Sequence, residues 1–145
     1  MMSQNTNEYM EQEVANADPA KLVDLLFQRA VRDLERAYEM WPTLARSAEA
    51  VRLALHAQAI IGELQSCLNF NEGGELAANL GRLYEYMQFR LTQALTQHRP
   101  EDAEAISEVC SLLSGLSSAW TEMSARAREE GTHGMGLMTG ASLVA

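Results

Sequence analysis

The chain has 145 residues, 47% of them hydrophobic and 21% charged, with a formal charge of −9 at neutral pH. That length suits a single domain with a core of its own, needing neither disulfide nor metal to hold it. So acidic a surface repels phosphate backbones, which argues against a nucleic-acid partner and leaves neutral or basic proteins as better ones.

Residues 1–18 hold four acids and no base, so they do not read as a signal peptide. Tyr9 and Val14 are five apart and do not stack on one regular helix face. Residues 1–17 are therefore expected to be a short, irregular segment docking on the rest. Asp18-Pro19 is a strong helix start: Asp caps well, and Pro is favoured at the first helical position. The spacing predicts a helix from there to about Trp41, with Leu22, Leu25, Leu26, Leu34, Ala37, Tyr38 and Trp41 on its apolar stripe. Pro42 stops it.

A second helix opens between Thr43 and Ser47 and is expected to run to about Asn69. Its stripe is Val51, Ala54, Leu55, Ala57, Gln58, Ile61, Leu64, Cys67 and Leu68, with Ile60 widening it. Asn71-Glu72-Gly73-Gly74 reads as the turn, where glycine supplies backbone angles other residues resist. A third helix follows to about Gln97, with Leu76, Ala77, Leu80, Leu83, Tyr84, Met87, Leu91, Ala94 and Leu95 inward. Arg99-Pro100-Glu101-Asp102 breaks it. A fourth helix carries Ile106, Val109, Cys110, Leu113, Leu116, Trp120 and Met123 and fades near Arg128. Residues 129–145 read as a flexible tail; from Gly131 on it has four glycines and no Asp, Glu, Lys or Arg, yet includes Met135, Leu137, Met138, Leu143 and Val144.

Four long helices with short connections and no strand-like alternation predict an all-α, antiparallel up-down four-helix bundle over residues 18–128. Val109–Thr121, the longest uncharged stretch before the tail, is too short and too rich in Ser to span a bilayer. Cys67 and Cys110 sit on apolar stripes and are expected to be small buried hydrophobes in a reducing compartment. These features point to the cytoplasm.

Bundles of this kind can hold a di-iron site, which needs Glu-x-x-His on two helices. Here Leu53 precedes His56 by three and Leu95 precedes His98, so neither of these two histidines carries the motif. A Cys–His nucleophile pair would need an exposed thiol beside a histidine. Gly73-Gly74 lacks the Lys and Ser/Thr of a phosphate loop and follows no strand. No cofactor or metal is expected, and no catalytic residue. What remains is apolar surplus on the second and third helices: Ile60 beside Ile61, and Leu83-Tyr84, Tyr86-Met87 and Phe89 close together. A bundle needs about three apolar positions in seven. Ile60, Tyr86 and Phe89 are therefore expected near the outside, either as scattered exposed hydrophobes or as part of a groove for a partner helix.

The central run then resembles a known family. Ala57, Gln58, Ile60, Ile61, Glu63 and Leu64, then Gly73, Gly74 and Glu75, then Asn79, Leu80, Leu83, Tyr84, Tyr86, Met87, Arg90 and Leu91 follow the pattern of the flagellin-specific export chaperones, commonly called FliS. Tyr9, Val14, Ala17 and Pro19 match its N-terminal signature, and Glu108-Val109 and Trp120 match near the end. Asp18 replaces the usual Ser or Thr, and Leu26-Phe27 the usual Leu-Tyr. The resemblance implies a non-enzymatic cytoplasmic chaperone for the disordered C-terminal segment of flagellin, which prevents premature polymerisation and assists type III secretion. Other flagellar export or regulatory proteins are further candidate partners. The expected binding neighbourhood is Tyr9, Gln58, Ile61, Leu64, Leu80, Tyr84, Met87 and Leu91. Core and groove share one periodicity, so the rotation of the two helices decides whether Tyr84 or Tyr86 faces the groove. The competing reading is a structural or regulatory bundle that homodimerises through the same apolar face.

Overall fold

The computed structural model describes residues 19–130. They form four helices: α1 (Pro19–Met40), α2 (Ser47–Ser66), α3 (Phe70–Gln97) and α4 (Ala103–Glu130). Short connections make chain neighbours antiparallel, and the helices close in chain order around one core as an up-down-up-down bundle. Helix α1 packs closely on α2 and α4; α3 packs on the same two helices more loosely. The expected docking segment at residues 1–17 and the tail beyond Glu130 lie outside the described residues.

Helix α1 buries Ala20, Val23, Phe27, Ala30, Leu34 and Ala37, a repeat of threes and fours that keeps one face inward. This corrects the expected stripe. Leu22, Leu25 and Leu26 are only half-buried, and Tyr38 is 48% exposed. The reason is steric: the alanines at 20, 30 and 37 let α1 approach its neighbours closely, and the leucine row would hold it off. The rotation brings Asp33 inside, 7% exposed, where a carboxylate needs a partner. It has one in His56 of α2, whose Nδ1 hydrogen-bonds Asp33 Oδ2.

Two tryptophans fasten the bundle's ends. Trp120 Nε1 of α4 donates to the Ala20 carbonyl at 3.1 Å, tying the last helix to the first turn of α1. Trp41 Nε1 donates to the Arg99 carbonyl at 2.8 Å, and its ring lies 4.7 Å from that of His98. His98 ends α3 in the left-handed conformation, its N–H bonding the Ala94 carbonyl at 2.8 Å. Asp102 then starts the next helical segment. Its Oδ2 accepts the Arg99 backbone N–H at 2.8 Å and its Oδ1 the Arg99 Nη2 at 3.0 Å. Those bonds, the side-chain one foremost, hold the carboxyl below its ordinary value.

The connection from α2 to α3 is tighter than the expected turn. Helix α2 stops at Ser66, short of Asn69. The Asn69 side chain accepts the N–H groups of Asn71 and Glu72, each at 3.1 Å, and so caps a single helical turn. Gly74 breaks that turn with φ 55° and ψ −131°, and the helix continues from Glu75 to Gln97. Few residues other than glycine accept this backbone conformation.

Candidate partner-binding surface

The expected binding residues fall into distinct places. Ile61, Leu64, Met87 and Leu91 have no exposed surface and Tyr84 has 1%, so together they form the centre of the core. Burial pushes the Tyr84 phenol well up from its ordinary value. Gln58 and Leu80 are half-buried and reach the surface on opposite sides of α3. Tyr9 lies outside the described residues. Of the surplus residues, Tyr86 and Phe89 are 42% and 60% exposed, as anticipated, but Ile60 is 7% exposed. Ile60 shares the α1-facing side of α2 with His56, four residues earlier, so closure onto α1 covers it.

Helix α3 is thus the outermost wall, with a seam on either side. On the α2 side the seam is polar. Gln58 Nε2 donates to Thr92 Oγ1 at 3.0 Å, and Gln88 Nε2 donates to the Gln58 carbonyl at 3.1 Å. Leu55 and Phe89 are the exposed apolar groups nearest it, 50% and 60% exposed. Leu55 was expected in the core; it falls on the outer edge of α2 once Ala54, Ala57 and Ile61 point inward.

On the α4 side the seam is apolar. Its register is set by Glu108 Oε1, which accepts from Tyr86 Oη at 2.7 Å and from Arg90 Nε at 2.8 Å. These bonds hold the Glu108 carboxyl below its ordinary value, and the same contact raises the Tyr86 phenol. Leu83 lies three residues before Tyr86 and seven before Arg90, on the same face of α3; Leu112 and Leu116 follow Glu108 at four-residue steps on α4. With antiparallel helices this sets Leu83 across from Leu112, Leu80 across from Leu116, and Leu76 near Met123. Leu80, Leu83, Leu112, Leu116 and Met123 pack on the core yet stay half-exposed, and Leu76 is 56% exposed. Leu76 was expected inside, but it belongs to the first turn after the Gly74 break, where α3 has less of the bundle beneath it. From Met123 to Leu112 the seam is about 16 Å long, the length of three helical turns. Leu112 could have been found from its place beside Leu113, a doublet like Ile60-Ile61; only packing shows that both isoleucines are covered while Leu112 stays partly open.

At the opposite end, an open hollow of about 430 Å³ is lined by Tyr38, Pro100, Glu101, Ala103, Glu104, Ser107 and Glu108 and contains neither thiol nor imidazole. Among the described residues no group of three or more His, Cys, Asp or Glu side chains could hold a metal ion. Cys67 is buried and Cys110 half-buried, and desolvation raises both thiols. No described helix is long and apolar enough to cross a membrane.

The family model for flagellar protein FliS matches residues 1–127 of this chain. The chain belongs to the FliS family. It is 38% identical over 121 residues to the flagellar secretion chaperone FliS of Salmonella typhimurium, covering 81% of this chain and 85% of that protein. It is 37% identical over 125 residues to the flagellar secretion chaperone FliSB of Pseudomonas aeruginosa, covering 85% and 94%. A more distant FliS, that of Vibrio cholerae, is 28% identical over 114 residues, covering 79% and 81%. The α3–α4 seam and both sides of α3 lie inside the span that the FliS model matches.

Proposed function

We propose that this chain is a cytoplasmic flagellar secretion chaperone that binds the disordered C-terminal segment of flagellin, keeps it from polymerising early and presents it for type III export. The observation that carries the proposal is the half-open α3–α4 seam on a member of the FliS family. A row of partly covered leucines and a methionine on a soluble-type surface is an unfinished core, and an amphipathic helix completes it. A disordered segment loses conformational entropy when it orders, so it needs a long apolar seat that is already organised. The bundle provides one. Leu76, Leu80, Leu83, Leu112, Leu116 and Met123 form the seat, and Met123 can adapt its shape to the incoming side chains. Tyr84, Met87, Leu91, Ile61 and Leu64 hold the platform from within, while Gln58 and Phe89 extend it across the α2 side for a longer segment. The formal charge of −9 favours a neutral or basic occupant.

The test is titration of a flagellin C-terminal peptide onto the whole chain, with Leu76→Asp and Phe89→Asp as two variants on exposed positions. One-to-one binding by a monomer, weakened at least about tenfold by Leu76→Asp with helicity unchanged, is the expected result. A larger loss from Phe89→Asp would move the seat to the α2 side. A stable dimer that takes up no peptide would overturn the proposal and favour self-association through the same face.

A further inference from the structure

We propose that the outer face of the α1–α2 pair docks a carboxylate-rich segment of a partner protein. This face is the edge of the bundle opposite the α3–α4 seam. The docking does not rest on the flagellin reading. Although the chain is acidic as a whole, its bases gather here: α1, α2 and the connection between them hold six of the eleven Lys and Arg residues and only six of the twenty acids. Arg29, Arg32 and Arg36 follow one another at three- and four-residue steps, so they share one side of α1, and all three are exposed. The Asp33–His56 bond sets the register between the helices. It brings Arg36 level with Arg52 of α2, and Arg46 lies beyond them where α2 begins. By helical rise, the row from Arg29 to Arg46 is about 20 Å long.

The acids on this face are too few for those bases. Asp33 is bonded to His56, and Glu63 stands seven residues after His56 on the same side of α2. Glu49 is gripped by Arg52, whose Nη2 donates to Oε1 at 2.6 Å and whose Nε donates to Oε2 at 3.0 Å. That bond, with Arg36 and Arg46 close by, holds the Glu49 carboxyl below its ordinary value. One carboxylate among three guanidinium groups shows what this spot accepts and leaves positive charge unmatched. Among the described residues, Arg32, Arg36 and Arg46 form no hydrogen bond or ion pair. The width of the row selects the occupant. Glu35 faces the α4 side, where it adds to the burial that raises the Cys110 thiol, and Glu39 follows it one turn on. A nucleic-acid duplex or an anionic bilayer is broad enough to meet those acids too, whereas a single helix or strand lies along the arginines alone. Guanidinium groups take carboxylates in paired hydrogen bonds, so acidic side chains at three- and four-residue spacing match the row. Leu44, 90% exposed in the connection, stands at the Arg46 end and offers such a segment an apolar contact. Because the two faces are opposite, cargo in the α3–α4 seam and an acidic partner here can be held at once; that consequence alone rests on the flagellin reading.

The experiment titrates the full chain, labelled with ¹⁵N-arginine, with a helical peptide of about fifteen residues bearing glutamate at every third or fourth position. The side-chain signals of Arg32, Arg36, Arg46 and Arg52 should shift and saturate, while those of Arg82 and Arg128 stay put. Arg36→Glu with Arg46→Glu should weaken binding at least about tenfold, and Arg82→Glu with Arg128→Glu, the same change of charge elsewhere, by less than about twofold. Circular dichroism checks the fold, and the milder pair Arg36→Gln with Arg46→Gln should still lose about threefold. Glu49→Gln removes the resident carboxylate and should tighten binding about two- to fivefold; Glu104→Gln should not. Shifts that fail to saturate or spread over every arginine, or equal losses in the two reversed pairs, overturn the docking. Tighter binding to vesicles rich in phosphatidylserine than to the peptide overturns it in favour of a membrane surface. Self-association abolished by Arg36→Glu with Arg46→Glu overturns it in favour of a second copy. Displacement of the acidic peptide by a flagellin C-terminal peptide overturns joint occupancy only. Acidic-peptide binding by a chain that takes up no flagellin peptide upholds the docking and sinks the flagellin reading.

Discussion

Tyr84 and Tyr86, two residues apart on α3, point in different directions: Tyr84 is 1% exposed and Tyr86 42%. The buried ring fills the centre of the bundle. The other lies along the seam and spends its hydroxyl on Glu108 at 2.7 Å.

Substituting the two tyrosines should therefore separate folding from binding. Tyr84→Ala is expected to cost about 3–5 kcal/mol, the range for removing a buried aromatic ring. Tyr84→Asp should leave no folded protein to assay. Tyr86→Phe removes one exposed hydrogen bond and should cost about 1 kcal/mol or less. Urea denaturation followed by circular dichroism distinguishes these outcomes; equal costs would contradict the rotation of α3.

The α1–α2 interface has its own polar lock. His56→Ala takes away the hydrogen-bond partner of Asp33, which is 7% exposed. A buried acceptor left without its partner costs about 1–3 kcal/mol. The double variant His56→Leu with Asp33→Leu should recover much of that loss, because the cost arises from the stranded carboxylate rather than from the missing bond. A double-mutant cycle measures it.

Asp102 should give the bundle an acid-side dependence. Its folded carboxyl sits below the ordinary value of 3.8 because of the Arg99 hydrogen bonds. A depressed folded value means that Asp102 stabilises fully above the unfolded value. That contribution disappears as pH falls through the folded one. Stability measured between pH 5 and pH 2, roughly the interval over which a paired carboxylate titrates, should therefore fall less steeply in Asp102→Asn than in the parent chain. An unchanged slope would show that Asp102 contributes nothing to it.

Gly74 carries the break between the capped turn and the body of α3. Its φ of 55° and ψ of −131° disfavour a side chain, and a Cβ placed there would meet nothing within 4 Å. Gly74→Ala should cost about 1–3 kcal/mol from backbone strain alone. Gly73→Ala is expected to be milder. Thermal melts of the two variants give the comparison.

Much of the fold was legible in the chain because its punctuation is chemical. Asp18-Pro19, Pro42, Gly73-Gly74 and Pro100 limit where helices begin and end whatever surrounds them, and the four-helix order followed. The errors lay at ends and faces. Helix α2 was expected to reach Asn69 but stops at Ser66, because the Asn69 side chain is used to cap the next turn. The α1 stripe was read through Leu22, Leu25 and Leu26, yet the alanine-spaced row won because small residues permit closer packing. Ile60 was expected outside and is covered by α1.

The seam shows the same limit. Glu108 and Arg90 each stand in the matched motif, but nothing local says that they meet across two helices and so fix which leucines lie opposite one another.

The sequence by itself determined the helix count, the connections and the membership in the FliS family, since these depend on local chemistry and on the order of residues. Only the tertiary structure decided which way each helix turns. A helix with apolar residues over more than a third of its circumference can rotate by tens of degrees with nearly the same burial. Packing against α2 and α4 at once removes that freedom, placing Tyr84 in the core and Tyr86 on the seam.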